Sequence, residues 1–435
     1  MPGYPLDWQT RIAEAVRDRR DYLHDLLSDL VAIPSVGGSQ AEHDIQRWLA
    51  DHLAGVGLGV TLGDVPLAGA ELEPGFPGME VERRRVTHLT ATLGGSGRGP
   101  RVAFLGHTDV VPASPGHWSG DPFTPVTRNG CVTGRGTVDM KGGLAAAVVA
   151  TLAIRDSGLT PPGDVVIAAV SAEEDGGAGT WALLRSGFTA DSCLLPEPTG
   201  SRLVIGNAGS LTFRLTVTGR PAHGALRWHG HNPLQCLPAI LTALQDLERH
   251  RNQEPDPLMA SWPIPYPISV GRVRAGQWAS TVPQSLVLEG RYGVKLGESA
   301  TNARTHFEQA LAQASMPDPW LSDHPIAVQW WGGEFASATL RPSHPLVEVV
   351  RRAHNRLDPR SPAEPIAAPY GSDLRLLQAA GIPTVQYGPG DPSQAHADDE
   401  TVSLREVEDC AVVLAHSAAQ LAHEHGLAVD EPNDH

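Results

Sequence analysis

The sequence predicts an α/β protein with a discontinuous main domain and an inserted α+β domain. Its 435 residues exceed what one core of ordinary size contains. Strand-like and helix-like patterns alternate up to residue 208 and again from 326, which is typical of a mainly parallel sheet flanked by helices. Residues 209–325 instead contain strands that alternate apolar and polar residues, as antiparallel strands do. We therefore divide the chain into a first part, 1–208, an insert, 209–325, and a second part, 326–435.

Short apolar runs predict the strands, and Ala-rich or apolar-periodic stretches predict the helices. Helical spacing covers 8–31 and 41–56, and a Pro/Gly/Glu-rich loop is predicted at 65–82. The strands predicted in chain order are Arg101–Leu105, Val165–Val170, Asp191–Leu195, Leu211–Thr218, Ile268–Arg274, Leu286–Val294 and Pro383–Tyr387. The remaining predicted helices are Gly142–Ser157, Gly179–Ser186, Pro233–Glu248, Ala300–Ala314 and Leu404–His423.

Composition and net charge indicate which partners and which cellular location to expect. The chain has 33 Lys and Arg against 49 Asp and Glu, a net charge of −16, which argues against nucleic acid or an anionic membrane as partner. No apolar run is long enough to span a bilayer, and the first residues lack a secretory apolar region. Four widely separated cysteines (Cys131, Cys193, Cys236 and Cys410) indicate reduced thiols and a cytoplasmic location rather than disulfides or a thiolate zinc site.

Histidine and carboxylate side chains follow several predicted strands, where ligands of open α/β sheets bind. His107 and Asp109 follow the strand ending at Leu105, and two residues apart in extended chain they lie on one side, so Asp109 could orient a ligating His107. A surface turn with incidental polar groups is the alternative. In GRGTVDMKGG, the glycines surround Asp139, which favours a cation, although a glycine-rich helix start could also bind an anion.

Three further candidates lie at similar junctions. Glu173 and Glu174, in AAVSAEEDGGAG, follow the end of the apolar strand Val165–Val170. The side chains of adjacent residues that leave a strand point to different sides of the chain. Glu197 is held between two prolines in LLPEPTG, and His396 lies in a glycine-rich loop; each alone is compatible with an ordinary surface turn. Together, two histidines and several carboxylates without cysteine predict a catalytic metal site for zinc, cobalt or manganese.

The ordered set of motifs resembles the zinc-dependent aminoacylase and exopeptidase family that includes acetylornithine deacetylase, succinyl-diaminopimelate desuccinylase and carboxypeptidase G. HTDVVP, GRGTVDMKGG, the Glu-Glu pair, PEPT, GRPAH and the late histidine occur in the family's order over nearly the whole chain. The stretch GQWASTVPQSLVLEGRYGV is most similar to the acetylornithine deacetylase-like branch, which also includes a formylaminopyrimidine deformylase. The resemblance implies a zinc exopeptidase-like main domain and a ferredoxin-like insert that serves as dimerisation and lid domain.

The resemblance also implies two divalent metal ions. Asp139 is expected to bridge them. His107 and Glu197 would complete the ligands of one ion, and Glu174 and His396 those of the other. A water shared between two metals becomes a nucleophile at neutral pH.

Further roles follow from the resemblance. Asp109 would be the partner of His107, and Glu173 the general base that takes the proton of the water. His223, in GRPAH, would reach the active site of a partner subunit and bind the oxyanion, which implies a homodimer through the insert; an incidental surface histidine is the alternative.

Three residues are candidates for the substrate side. Arg291 offers a bidentate partner for a carboxylate. Ser372 and Asp373 lie in PYGSDLR, where the family often has a G-G-T-S-D-like sequence.

The predicted function is hydrolysis of the amide bond of an N-acylated amino acid or related amine. The alternatives with the same two-metal site are a dipeptidase or carboxypeptidase and a formylaminopyrimidine-type deformylase. A binding protein without activity would be expected to lack some ligands or the base, but all of them are present in the sequence. A phosphatase would need an Arg/Lys-rich cradle for the phosphate, and the sequence shows none.

Overall fold

The computed structural model describes residues 4–114, 116–316 and 318–423. The chain divides into two compact units. The first unit comprises the residues up to Gly206, Leu340–Ile366 and the residues from Leu376 onward. The second unit comprises Asn207–Thr339 and Ala367–Arg375.

The α-helices lie at Trp8–Asp18 (α1), Arg20–Ala32 (α2), Gln40–Gly55 (α3), Gly142–Asp156 (α4), Ala178–Arg185 (α5), Leu237–Arg251 (α6), Ala300–Ser315 (α7), Pro319–Asp323 (α8), Pro345–Leu357 (α9), Leu374–Ala379 (α10) and Leu404–Leu421 (α11). The strands lie at Gly59–Pro66 (β1), Arg85–Leu93 (β2), Val102–His107 (β3), Val126–Arg128 (β4), Cys131–Thr133 (β5), Val165–Val170 (β6), Ser192–Leu195 (β7), Leu203–Asn207 (β8), Gly209–Thr218 (β9), Ile268–Ala275 (β10), Ser285–Val294 (β11), Ala327–Phe335 (β12), Ala338–Thr339 (β13), Pro365–Ala368 (β14), Thr384–Gln386 (β15) and Thr401–Ser403 (β16).

The sheet of the first unit has a parallel centre. Its strand order runs β1-β2-β6-β3-β7-β15-β8. The pairs β3–β6, β3–β7 and β7–β15 are parallel, whereas β1–β2 and β2–β6 are antiparallel. Every residue of β3 and β6 is buried, as expected for central strands whose continuous apolar runs are covered on both faces. The predicted α/β fold class is confirmed.

Two features of the first unit differ from the prediction. The predicted single helix over 8–31 is two helices, because Arg19 leaves the helical conformation at φ −100° and ψ 14°. The hairpin β1–β2 was not predicted, since β1 is a half-exposed edge strand without an apolar run. Helix α4 and the turn before it form an apolar segment long enough to cross a membrane, but 94% of it is buried inside the protein, so it is a core helix.

The second unit is an antiparallel sheet with two main helices. Its strands and helices follow in the order β9-α6-β10-β11-α7-β12, and the sheet order is β10-β11-β9-β12, the ferredoxin-like arrangement. The alternate residues Leu211, Phe213, Leu215 and Val217 of β9 are buried and pack in one core with Phe307 of α7. The second unit continues past the predicted end at residue 325, because β12 pairs with β9 and completes the sheet.

Candidate metal centre

The predicted metal ligands of the first unit lie at the carboxyl ends of four adjacent strands. His107 is the last residue of β3, and Glu174 lies in the turn after β6. Glu197 follows β7 by two residues, and His396 lies in the loop after β15. Because β6, β3, β7 and β15 are parallel neighbours in the sheet, their carboxyl ends share one edge.

The hydrogen bonds of His107 leave one ring nitrogen available as a metal ligand. Its Nδ1 lies 2.9 Å from the backbone carbonyl of Asp109, which can only accept, so Nδ1 carries the proton. Its Nε2 lies 3.1 Å from Oδ1 of Asp139 and 3.9 Å from Oε2 of Glu197. A ligating histidine whose other nitrogen donates to a carbonyl has this arrangement.

Asp109 positions two parts of the site at once. Its carboxylate is 3.7 Å from Nδ1 of His107, so its main chain, not its carboxylate, orients the ring. The carboxylate instead accepts hydrogen bonds from the backbone N–H groups of Glu173 and Glu174, both at 3.2 Å. Through these two hydrogen bonds the fully buried Asp109 holds the turn that carries the adjacent glutamates.

A buried ionic network braces the same turn from the other side. Ala172 adopts a left-handed conformation (φ 59°), and its N–H donates to Glu42 at 3.1 Å. Arg83 donates to Glu42 at 2.9 Å and to Asp175 at 2.7 Å, with all three side chains at least nine-tenths buried. No local pattern in the sequence indicates this network, because its members come from three distant segments.

Asp139 presents its two carboxylate oxygens to two different histidines. Oδ1 faces His107, and Oδ2 lies 3.5 Å from Nε2 of His396. The same Nε2 is 2.9 Å from Oε2 of Glu174. His396 adopts a left-handed conformation (φ 62°), and its side chain is 53% exposed. Asp139 therefore stands between two groups of ligands, as a bridging carboxylate would.

Glu400, which the sequence analysis missed, organises the loop before Asp139. Its fully buried carboxylate accepts from Nη1 of Arg135 at 2.8 Å and from the backbone N–H groups of Gly136, Val138 and Asp139 at 2.9, 2.7 and 3.0 Å. Arg135 also donates to backbone carbonyls of the His396 loop. The pair Arg135–Glu400 thus joins the two loops that carry Asp139 and His396. The only signal in the sequence was an acidic residue at the end of the segment HADDE.

Close backbone packing holds Glu197 in place. An added Cβ on Gly143, in the first turn of α4, would meet the carbonyl oxygen of Pro196 at 1.8 Å. An added Cβ on Gly388 would meet the carbonyl oxygen of Glu197 at 2.1 Å. Only glycine allows these approaches, so the carboxylate of Glu197 is aimed by packing on two sides as well as by its prolines.

The carboxylates around the histidines favour positive charge at the site. Burial opposes protonation of His107, but the hydrogen bond with Asp139 and the charges of Glu197 and Asp109 outweigh it and raise the pKa of His107 well above its ordinary value. The hydrogen bond with Glu174 raises the pKa of His396 to about 9. A site that attracts protons this strongly also attracts cations.

The donor set fits divalent metal ions. One ligand atom each of His107, Asp139 and Glu174 lies within 4.8 Å of the others. Oε1 of Glu174 is buried and has no hydrogen-bond partner within the described part of the chain, as expected of an oxygen that binds a metal. Imidazole and carboxylate donors suit zinc, cobalt or manganese.

The remaining predicted site residues belong to the second unit. Nδ1 of His223 accepts a hydrogen bond from the N–H of Ala225 at 3.1 Å. Nη2 of Arg291 donates to the carbonyl of Pro369 at 2.8 Å. Ser372 and Asp373 are buried, and Oγ of Ser372 is 2.9 Å from Oδ1 of Asn207. Their predicted roles toward a substrate stay predictions.

Comparison with known proteins identifies the family. A model of peptidase family M20/M25/M40 matches residues 103–420. The chain is 26% identical over 430 residues to N-formyl-4-amino-5-aminomethyl-2-methylpyrimidine deformylase of Bacillus subtilis (strain 168), covering 93% of this chain and 95% of that protein. It is 26% identical over 400 residues to acetylornithine deacetylase of Proteus mirabilis, covering 88% and 92%.

The fold is also similar to that of solved structures. The chain is similar to the dipeptidase Dug1p of Saccharomyces cerevisiae, with a TM-score of 0.77 and 14% identity over 96% of this chain and 99% of that one. The resemblance inferred from the motifs is thereby confirmed. The chain belongs to peptidase family M20 and is a metal-dependent amidohydrolase.

Proposed function

We propose that the chain hydrolyses the amide bond of an N-acylated amino acid and thereby removes a small acyl group. Two relatives that are similar over nearly the full length are named as a deformylase and a deacetylase, which supports an acyl group of this size. The similarity to a dipeptidase is at 14% identity and concerns the fold alone. The named deformylase makes a formylated aminopyrimidine the second candidate substrate.

Arg291 is the main reason for proposing an N-acylated amino acid as the substrate. Burial lowers the pKa of its guanidinium to about 10. Its Nη2 donates to the carbonyl of Pro369, and no carboxylate of the described residues forms an ion pair with it. Arg291 is half-buried, and a charge that is shielded from water is normally paired. A substrate carboxylate would supply the missing anion with bidentate geometry, which an aminopyrimidine amine does not offer.

The proposed cofactor is a pair of zinc ions, with cobalt and manganese as alternatives to test. The two-sided contacts of Asp139 with His107 and His396 support two ions rather than one. Glu197 would complete the ligands on the first side and Glu174 those on the second. Two bound divalent ions supply Lewis-acid polarisation of the amide carbonyl and acidify water near neutral pH.

Two side chains of this protein are proposed to handle the proton and the developing charge. Glu173 is buried beside His107 and follows the strand end that Asp109 holds, so its carboxylate is proposed to accept a proton from water and to pass it to the leaving nitrogen. Nδ1 of His223 accepts from a backbone N–H, so its neutral ring carries the proton on Nε2. That tautomer can donate to an oxyanion.

We further propose that the second unit forms a homodimer interface. Trp228 and Trp278, both in this unit, are 69% and 75% exposed, and Leu226 is 47% exposed. A backbone bridge between His223 and Thr281 joins the segments that carry these side chains, and a contiguous exposed apolar patch is typical of a surface that binds another protein. Analytical ultracentrifugation of the wild-type chain tests this; a monomer at micromolar concentration would contradict it.

A substrate panel tests the proposed reaction. The metal-loaded chain is incubated with N-acetyl, N-formyl and N-succinyl amino acids, with dipeptides and with the formylated aminopyrimidine, in the presence of zinc, cobalt or manganese. We expect release of free amino acid from at least one N-acyl amino acid. Hydrolysis of dipeptides alone would overturn the proposal, and hydrolysis of the pyrimidine alone would favour the second candidate.

Substituting the two adjacent glutamates separates their roles. Glu173→Gln is expected to lose turnover by about 10²- to 10⁴-fold while metal content stays that of the wild type. Glu174→Gln is expected to lose one bound metal, because it removes a ligand. Equal metal loss in both variants would argue against the proton-transfer role of Glu173.

Arg291→Leu tests carboxylate binding, with Arg274→Leu as the control in the neighbouring strand, where Arg274 is exposed. The Arg291 variant is expected to raise KM for an N-acyl amino acid but not for the matching N-acyl amino acid amide, which lacks the carboxylate. The same KM change for both substrates would contradict the assignment.

A further inference from the structure

We propose that the second unit binds an additional zinc ion through His231, Cys236 and Asp318. These residues are outside the ligand set of the first unit. One ligand atom of each lies within 4.8 Å of the other two. The thiol of Cys236 is 3.6 Å from Oδ2 of Asp318.

Two segments that are far apart in the sequence bring these ligands together. His231 is held by a pair of backbone hydrogen bonds with Arg220, both at 2.9 Å. Cys236 ends the short turn that leads into α6, and Asp318 directly precedes α8. The arrangement therefore depends on the tertiary fold of the unit, which is why widely spaced cysteines in the sequence gave no sign of it.

Neighbouring groups fix the orientation of two ligands. The ring of His231 stacks on Trp320 at 4.4 Å with an interplanar angle of 9°. The indole N–H of Trp320 donates to the carbonyl of Thr218 at 2.7 Å. Oδ1 of Asp318 accepts from the backbone N–H of Trp320 at 2.9 Å. Oδ2 of Asp318 is the oxygen that faces the thiol, so the site is organised before a metal arrives.

The ring of His231 has an unexplained buried atom. Its Nε2 is buried and has no hydrogen-bond partner among residues 4–114, 116–316 and 318–423. A hydrogen bond between Cys236 and Asp318 alone would leave this nitrogen unsatisfied, which is costly for a buried polar atom. A cation beside the thiol and the carboxylate would satisfy it.

The donor chemistry favours zinc. Cys236 is 3% exposed, and without a metal its thiol donates its proton in a hydrogen bond to Oδ2 of Asp318. Binding of zinc would form a Zn–S bond and release this proton to solvent. Thiolate, imidazole and carboxylate together suit zinc or cobalt better than magnesium or calcium, and three protein ligands leave the fourth position to water.

Cobalt substitution tests the proposal on the intact chain. The first-unit ligands include no cysteine, so a near-ultraviolet thiolate-to-cobalt charge-transfer band would report only the second-unit site. We expect this band when metal-free wild-type chain is titrated with Co²⁺, and we expect zinc to abolish it. No band in the wild type would overturn the proposal, whatever the variants do.

Variants locate the band. Cys236→Ser is expected to lose it and to bind one metal ion fewer per chain, whereas Cys131→Ser, which changes the more exposed cysteine in the first unit, is expected to retain it. His231→Gln keeps the thiol and is expected to weaken cobalt binding about 100-fold or more. A band that survives Cys236→Ser, or unchanged affinity in a folded His231→Gln, would contradict the proposed ligands.

Discussion

Replacing the buried Glu400 by glutamine is expected to destabilise the loop that carries Asp139 and to weaken metal binding. The carboxylate accepts four hydrogen bonds, two at each oxygen: one from Arg135 and three from the backbone N–H groups of Gly136, Val138 and Asp139. Glutamine exchanges one of these oxygens for an NH₂ donor. Two of the four donors would then face another donor and lose their partner.

The size of the effect follows from these contacts. Two buried donors left without an acceptor cost about 1–3 kcal/mol each. Removing one member of a buried ion pair costs about 3–5 kcal/mol, and this overlaps with the same loss rather than adding to it. We therefore expect Glu400→Gln to lower the free energy of unfolding by about 3–5 kcal/mol, a large part of the total for an ordinary domain. Because Glu400 positions Asp139, a proposed metal ligand, and is not itself a proposed ligand, metal affinity should fall by about 10- to 100-fold.

Urea unfolding of chelator-treated protein measures the first effect, and competition with a metal indicator measures the second. Glu364→Gln is the matched control, since Glu364 is exposed in the first unit, and its effect should stay within about 0.5 kcal/mol. A Glu400→Gln variant with the stability and metal affinity of the control would refute the assigned role.

Two further predictions concern charge in the first unit. The pKa of His396 is raised to about 9 in the metal-free chain, so its ring is protonated near neutral pH. Its pairing with Glu174 therefore stabilises the metal-free chain below this pH, and the contribution is lost as the pH rises through about 9. Because a metal must displace the proton, metal affinity falls as the pH is lowered. Calorimetry in buffers of different ionisation enthalpy should show proton release on zinc binding near neutral pH, and a buffer-independent heat would contradict this. Arg83→Met should destabilise by about 3–5 kcal/mol because it leaves two buried carboxylates unpaired, whereas Arg85→Met, which breaks an exposed pair, should cost about 0–1 kcal/mol. Equal unfolding midpoints for the two variants would exclude a bracing role for the Arg83 network.

Local patterns account for what the sequence predicted well. The strand Val165–Val170 was predicted with its observed bounds, because this apolar run between turn residues is too short for an ordinary helix and is rich in β-branched residues. Four of the predicted ligands, His107, Glu174, Glu197 and His396, lie at or after the ends of such strands, and parallel strands bring their carboxyl ends to one edge. Their role as metal ligands stays a prediction. The edge strand β1 lacks this signal, since half of its residues face solvent.

The supporting charges were not predictable in the same way. Glu42, Arg83 and Asp175 look like ordinary surface residues in the sequence, and only the tertiary fold buries and pairs them. Glu400 lies four residues after a predicted ligand but serves a loop more than two hundred and fifty positions earlier. The role of Asp109 was partly different from the expectation for the same reason, because its carboxylate bonds a turn that follows another strand.

The pairing of Arg135 with Glu400, 265 positions apart, also sets the order in which the chain can complete its metal centre. During synthesis the strands that carry His107, Glu174 and Glu197 emerge first, followed by the whole second unit. The loop before Asp139 lacks its carboxylate acceptor until Glu400 has been made and has folded back. Closing so long a loop is a late event in folding. Full metal binding is therefore expected only after Glu400 has been synthesised and the segments of the first unit before Gly206 and after Leu376 have joined.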